Sequence, residues 1–137
     1  MRVGLLLLLA LTACTTPDPV RFQYYAGNES LPPEHQYVTV LRANVLQDRI
    51  AGTLTTRHGE MVMERPFVLT GEDLEDAMRV IRHTSVEEIV TTDGGDVIEV
   101  TFTAADGTER FGQPSNPYEW DRLIERVRQL AGMSGGG

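Results

Sequence analysis

Cys14, His35, His58 and His83 are the side chains of this 137-residue chain best suited to nucleophilic or metal chemistry. Zinc draws thiolates and imidazoles from spacings such as His-x3-His, which bring two ligands to one ion. No pair among these four has such a spacing. His58 and Glu60 offer two donors beside a predicted turn, although solvated turn residues account for them more simply. Ser30, Ser85, Ser115 and Ser134 fall in predicted loops or the tail, and none occupies the Gly-x-Ser-x-Gly elbow that exposes a nucleophilic hydroxyl. All 12 basic residues are arginine, which removes Schiff-base and lysine-nucleophile chemistry. Carboxylates such as Glu87-Glu88 are plentiful, as in any acidic chain. Asp93-Gly94-Gly95-Asp96 lacks the further ligands of a calcium loop and reads as a hairpin turn. No glycine-rich phosphate loop is present. The expectation is a protein with no catalytic residue, no metal and no cofactor.

Cys14 has a different context. Arg2 precedes an apolar run from Val3 to Leu11 that includes five consecutive leucines, Leu5 to Leu9. A charge followed by a short apolar core is the layout of an export signal. The run is too short for a bilayer, which needs about 20 apolar residues, and Pro17 and Pro19 break the chain soon after it. Leu11-Thr12-Ala13-Cys14 resembles the lipobox of bacterial lipoproteins. The resemblance covers these residues only. It implies that the Cys14 thiol receives a diacylglycerol, that residues 1–13 are cleaved as a signal peptide, and that the new amino group is often acylated too. It also explains an odd cysteine in an exported chain, where no disulfide partner exists. Thr15 stands where the family's inner-membrane retention signal would be Asp, which implies the outer membrane, facing the periplasm, if the host has two membranes.

Composition limits the partners. The 20 acidic and 12 basic residues give a net charge of −8, which disfavours nucleic acid. Cleavage before Cys14 removes Arg2 and no acid, leaving 11 arginines against 20 acids, a net −9. Anionic lipid repels such a domain. The expectation is a lipid tether over residues 14–36 with the domain held in solution, and Thr15 to Val20 as an extended, mobile spacer.

The rest of the chain supplies the scaffold. Arg21 to Tyr25 is aromatic and weakly alternating, either an edge strand or a docking segment, and Phe22, Tyr24 and Tyr25 are the candidate partner-binding residues. Strands are predicted over Tyr37–Leu46, Ile50–Arg57, Met61–Leu69, Val86–Thr92, Val97–Ala104 and Thr108–Phe111 from period-two patterning and turn residues. Pro66 marks its strand as an edge or a bulge. Leu74, Ala77, Met78 and Ile81 form the apolar stripe of a helix over 71–83, with Thr70 and Asp73 in capping-box spacing. Asn116, Pro117 and Glu119 signal a second helix over 117–131, whose stripe is Trp120, Leu123, Ile124, Val127 and Leu130. Trp120 is expected in the core.

The expected fold is α+β, an antiparallel sheet of six to seven strands with two amphipathic helices packed on one face, in the order βββα-βββα. A single domain spans 37–131 and a flexible tail 132–137. Two function classes remain. One is a non-catalytic, membrane-tethered envelope lipoprotein that binds a protein or glycan partner. The alternative is a small envelope hydrolase with an unrecognised site, or an enzyme-inhibitor module. The layout loosely resembles small bacterial protease-inhibitor modules, without an inhibitory loop motif to extend the likeness.

Overall fold

In the computed structural model, which describes residues 16–28, 30–89 and 96–133, seven strands form one antiparallel sheet. They are β1 (Arg21–Gly27), β2 (Tyr37–Val45), β3 (Ile50–His58), β4 (Met61–Leu69), β5 (Val86–Glu87), β6 (Val97–Thr103) and β7 (Glu109–Pro114). Two helices, α1 (Gly71–His83) and α2 (Pro117–Leu130), pack on one face, so the protein is of the α+β class. A short 3-10 turn covers Pro33–His35. The spatial order is β4-β3-β2-β1-β6-β7-β5. The first four strands form a meander, α1 crosses to the far edge, and β6 returns to pair with β1.

Alternation sets the two faces of the sheet. Phe22, Leu41, Ala43, Ile50, Leu54, Phe67, Leu69, Val100 and Phe102 point at the helices and are buried. Gln23, Arg42, Thr53, Glu64 and Thr101 point to the opposite, open face. The helices complete the core with Ala77, Met78, Val80 and Ile81 from α1 and Trp120, Leu123, Ile124 and Val127 from α2. Leu130, assigned to the stripe on spacing, is 42% exposed at the overhanging helix end. Met133 takes its place in the core. Gly132 at φ 75° turns the chain there, with Met133 N–H donating to the Arg128 carbonyl and Gly132 N–H to that of Gln129. This is the Schellman closure.

Both helices begin where the caps predict, but the capping side chains serve elsewhere. Neither Thr70 nor Asn116 makes a side-chain cap bond. Asp73 instead pairs with Arg126 of α2 at 2.9 and 3.2 Å. Glu119 lies 3.3 Å from His83, and Asn116 donates to the Val80 carbonyl. Residues that would close each helix start on itself lock α1 against α2.

The domain boundaries shift at both ends. Residues 21–27 are no linker: β1 is the central strand, paired over seven residues with β2 and seven with β6. Nor are residues 16–20 a free spacer. Pro19 is buried, Asp18 accepts two hydrogen bonds from Arg82, and Val20 is hydrogen-bonded to Thr103 and Val45. Met133, placed in the tail on composition, is 7% exposed. Of the strand expected over Val86–Thr92, the described residues show β5 at Val86–Glu87 and no strand at 88–89, and residues 90–95, with the Asp93-Gly94-Gly95 turn, lie outside them. Residues 1–13, expected to be a signal peptide, Cys14, Thr15 and the final four residues lie outside them as well.

One close approach in the sheet makes a sharp prediction. A Cβ on Gly52 would stand 1.8 Å from the Arg42 carbonyl oxygen and 2.7 Å from Ala43 Cα. Both atoms are backbone, so relief requires β2 and β3 to separate. Gly52→Ala is expected to lower unfolding free energy by about 1–3 kcal/mol, as core overpacking does, measured by urea denaturation.

Candidate functional site

The residues proposed from sequence as a partner surface are dispersed by the strand they share. Phe22 and Tyr24 are each 3% exposed and face the helices. Trp120 lies edge-on to Phe22 at 5.7 Å and stacks on Tyr24 at 5.5 Å. Tyr25 points to the opposite face and is half-buried. Phe22 and Tyr24 are thus core residues and do not form the exposed aromatic surface expected from sequence. His35 and His58 are exposed, and His83 bridges to Glu119. Ser115 accepts a hydrogen bond from the Ser85 backbone, and the Asp106 carboxylate accepts one from Thr108 N–H, which holds its pKa below the ordinary value. Among the described residues no group of three or more His, Cys, Asp or Glu could hold a metal ion.

A half-open cleft of about 640 Å³ lies between the C-terminal half of α2 and the ends of β1, β2 and β6. Its polar lining comes from four places in the chain: Tyr24 on β1, Tyr37 and Thr39 on β2, Asp96 just before β6, and Asp121, Glu125 and Arg128 on α2. Ala26, Ile98, Ile124 and Met133 supply the apolar wall.

Arg128 organises this end of the domain. Its Nη2 donates to the Tyr37 hydroxyl and to Thr39 Oγ1, both at 3.1 Å. Thr39 is 2% exposed, so the guanidinium satisfies a hydroxyl that burial would otherwise strand. Burial pushes the Tyr24 hydroxyl well above the ordinary phenol range; Asp121 and Tyr37 add to that shift and Arg128 opposes it. The Tyr24 hydroxyl therefore keeps its proton at neutral pH. Among the described residues the lining holds no histidine, serine or cysteine. It offers hydroxyl and guanidinium donors, three carboxylate acceptors and an apolar wall.

The register extends this surface beyond the cleft. Tyr37 stands opposite His58, and His58 opposite Met61; one row inward, Thr39, Thr56 and Met63 are in register. All six point to the helix side, yet Tyr37 is 45%, Met63 43% and Met61 77% exposed. The helices stop short of the outer part of this strip. Met61 also lies on β4, whose outer edge has no strand beside it among the described residues.

The sequence carried one signal for this site. Met61, Met63 and Arg65 alternate in phase with the buried Phe67 and Leu69, so their strand predicts a face that outruns its cover. Nothing local to Arg128 announces its partners 89 and 91 residues away. Comparison with protein-family models, curated proteins and solved structures finds no match to the chain. The fold is that of a small α+β domain with a half-open cleft at one end of its sheet.

Proposed function

We propose that the protein is a lipid-anchored envelope protein that works by contact, without turnover, and that its partner is a protein. Anchoring rests on the apolar run ending in Leu11-Thr12-Ala13-Cys14, with Thr15 favouring the outer membrane, facing the periplasm. Binding rests on one observation: an exposed strip from Tyr37 to Met61 continues from a cleft that offers donors, acceptors and an apolar wall. Methionine side chains adapt to varied partner shapes, and contiguous exposed apolar surface marks interaction sites. An unpaired strand edge alongside adds backbone groups that an extended peptide segment can use. A glycan would use the hydroxyls and carboxylates of the cleft but gains little from Met61, Val62 and Met63 at the edge.

Photo-crosslinkers placed at Tyr37 and at Met61 are expected to trap the same protein in native membranes. One at Asp48, in the β2–β3 turn at the other end of those strands, should not. Met61→Asp combined with Met63→Asp should weaken the trapped complex about tenfold or more, equivalent to ~1.4 kcal/mol. The melting temperature should hold, because both side chains are exposed. Equal trapping from all three positions, or recovery of glycan strands in place of a protein, would overturn the protein-partner reading. A folded, anchored His35→Ala, His58→Ala or His83→Ala variant without function would replace it with an enzyme or a metal site.

A further inference from the structure

The chain enters the domain along a fixed path. Pro19 is buried, and the Asp18 carboxylate takes hydrogen bonds from Arg82 Nε at 3.1 Å and Nη2 at 2.9 Å. That pairing holds the Asp18 carboxyl below its ordinary pKa, against the opposing effect of burial. Val20 N–H donates to the Thr103 carbonyl, and the Val20 carbonyl accepts from Val45 N–H. Thr16, Pro17 and Pro19 form one wall of two clefts whose other walls include Arg82, Ser85 and Arg110.

We infer that residues 16–20 are a rigid mount and that the lipid headgroups of the anchoring membrane cover the domain surface around Arg82, Ser85 and Arg110. The inference rests on the lipidation of Cys14. Cys14 lies two residues before Thr16 and four before Asp18, so it reaches at most about 7 Å from the first and about 14 Å from the second, at 3.6 Å per extended residue. The headgroup layer is about 5–8 Å deep on each side of the hydrocarbon. An acyl chain seated in the bilayer therefore leaves no room for the domain to float clear of it. The overall charge of −9 opposes close approach, and at the mount Arg82 cancels Asp18 while Arg110 stands beside Asp106 in the cleft lining, so the short spacer, and not charge, holds this surface at the headgroups.

The mount also fixes which side faces outward. Arg110 lies on β7, and Arg82 adjoins His83, which meets Glu119 at the start of α2. Arg128 and the cleft lie nine residues further along α2, about 14 Å away at 1.5 Å per residue. Met61 lies on β4, five strand spacings from β7, about 24 Å at 4.8 Å each. The membrane thus takes the β7–β5 side, and the Tyr37–Met61 strip is held away from it toward a soluble or opposing partner.

The test uses the mature chain with an azide-bearing residue at position 85 or position 61, each coupled to a fluorophore, so that Cys14 remains the only thiol. The protein is anchored in phosphatidylethanolamine–phosphatidylglycerol vesicles that carry a headgroup-attached quencher. One preparation uses the biosynthetic lipid, and a second couples Cys14 to a maleimide lipid. The label at 85 should be quenched severalfold more than the label at 61. Insertion of eight Gly-Ser residues between Thr15 and Thr16 should abolish the difference. Equal quenching at the two positions with the native spacer, or a difference that survives the insertion, overturns the mount. If the biosynthetic protein fails to float with vesicles and lacks acyl mass while the maleimide-coupled protein shows the predicted difference, the lipidation reading falls and the geometry stands; a maleimide-coupled protein without the difference overturns the mount itself.

Discussion

A chain that starts at Tyr37 is expected to remain unfolded, although it retains both helices and six of the seven strands. β1 is the middle of the sheet, and its loss leaves β2 and β6 with no neighbour between them. Phe22 and Tyr24 leave the core at the same time. Each fully buried side chain of that size contributes about 1.5–3 kcal/mol. Two seven-residue ladders are lost as well. Domains of this size are stable by only about 5–15 kcal/mol, so the deficit is comparable to the whole margin. Far-ultraviolet circular dichroism and a urea titration of residues 37–133 would show it, as weak signal and no cooperative transition. A cooperative transition in that fragment would mean that β1 is an accessory strand.

The second large effect belongs to Trp120. Its ring is fully buried, with Phe22, Tyr24 and Phe102 rings at 5.7, 5.5 and 6.2 Å. Its Nε1 donates to Thr84 Oγ1 at 3.0 Å, and that hydroxyl donates in turn to the Val80 carbonyl at 2.6 Å. One side chain therefore fills the space between β1, β6 and α2 and ties α2 to the end of α1. Trp120→Ala should cost about 3–5 kcal/mol, as large aromatic truncations do. Trp120→Phe should recover most of the packing and forfeit the hydrogen bond, about 1 kcal/mol. Urea unfolding of the three proteins separates the two contributions. A loss below about 1 kcal/mol for the alanine variant would contradict this core.

The helices and most strands were readable because their signals are local. Leu74 to Ile81 and Trp120 to Val127 repeat at helical spacing, and Val97 to Thr103 alternates cleanly. The centrality of β1 was not readable, although Phe22, Tyr24 and Ala26 do alternate. The adjacent pair Tyr24-Tyr25 blurs that period, and strand order depends on pairings with β2 and β6 that no local pattern encodes. The cleft is hidden for the same reason, since Tyr24, Tyr37, Asp96 and Arg128 are far apart in the chain. The capping residues mislead in an instructive way. Asp73 and Glu119 sit where a capping box wants them, but Arg126 and His83 offer partners that only tertiary packing brings near. Nothing local to Asp18 marks it as fixed, because its partner Arg82 is 64 residues away.

Intact mass of the membrane-extracted protein tests whether a lipid on Cys14 holds this domain at a membrane. The expected species begins at Cys14 and carries the added mass of diacylglycerol, with or without a third acyl chain. Cys14→Ser is expected to leave the membrane fraction. A chain that retains Met1, or one cut elsewhere without acyl mass, or unchanged membrane extraction of Cys14→Ser, would contradict it.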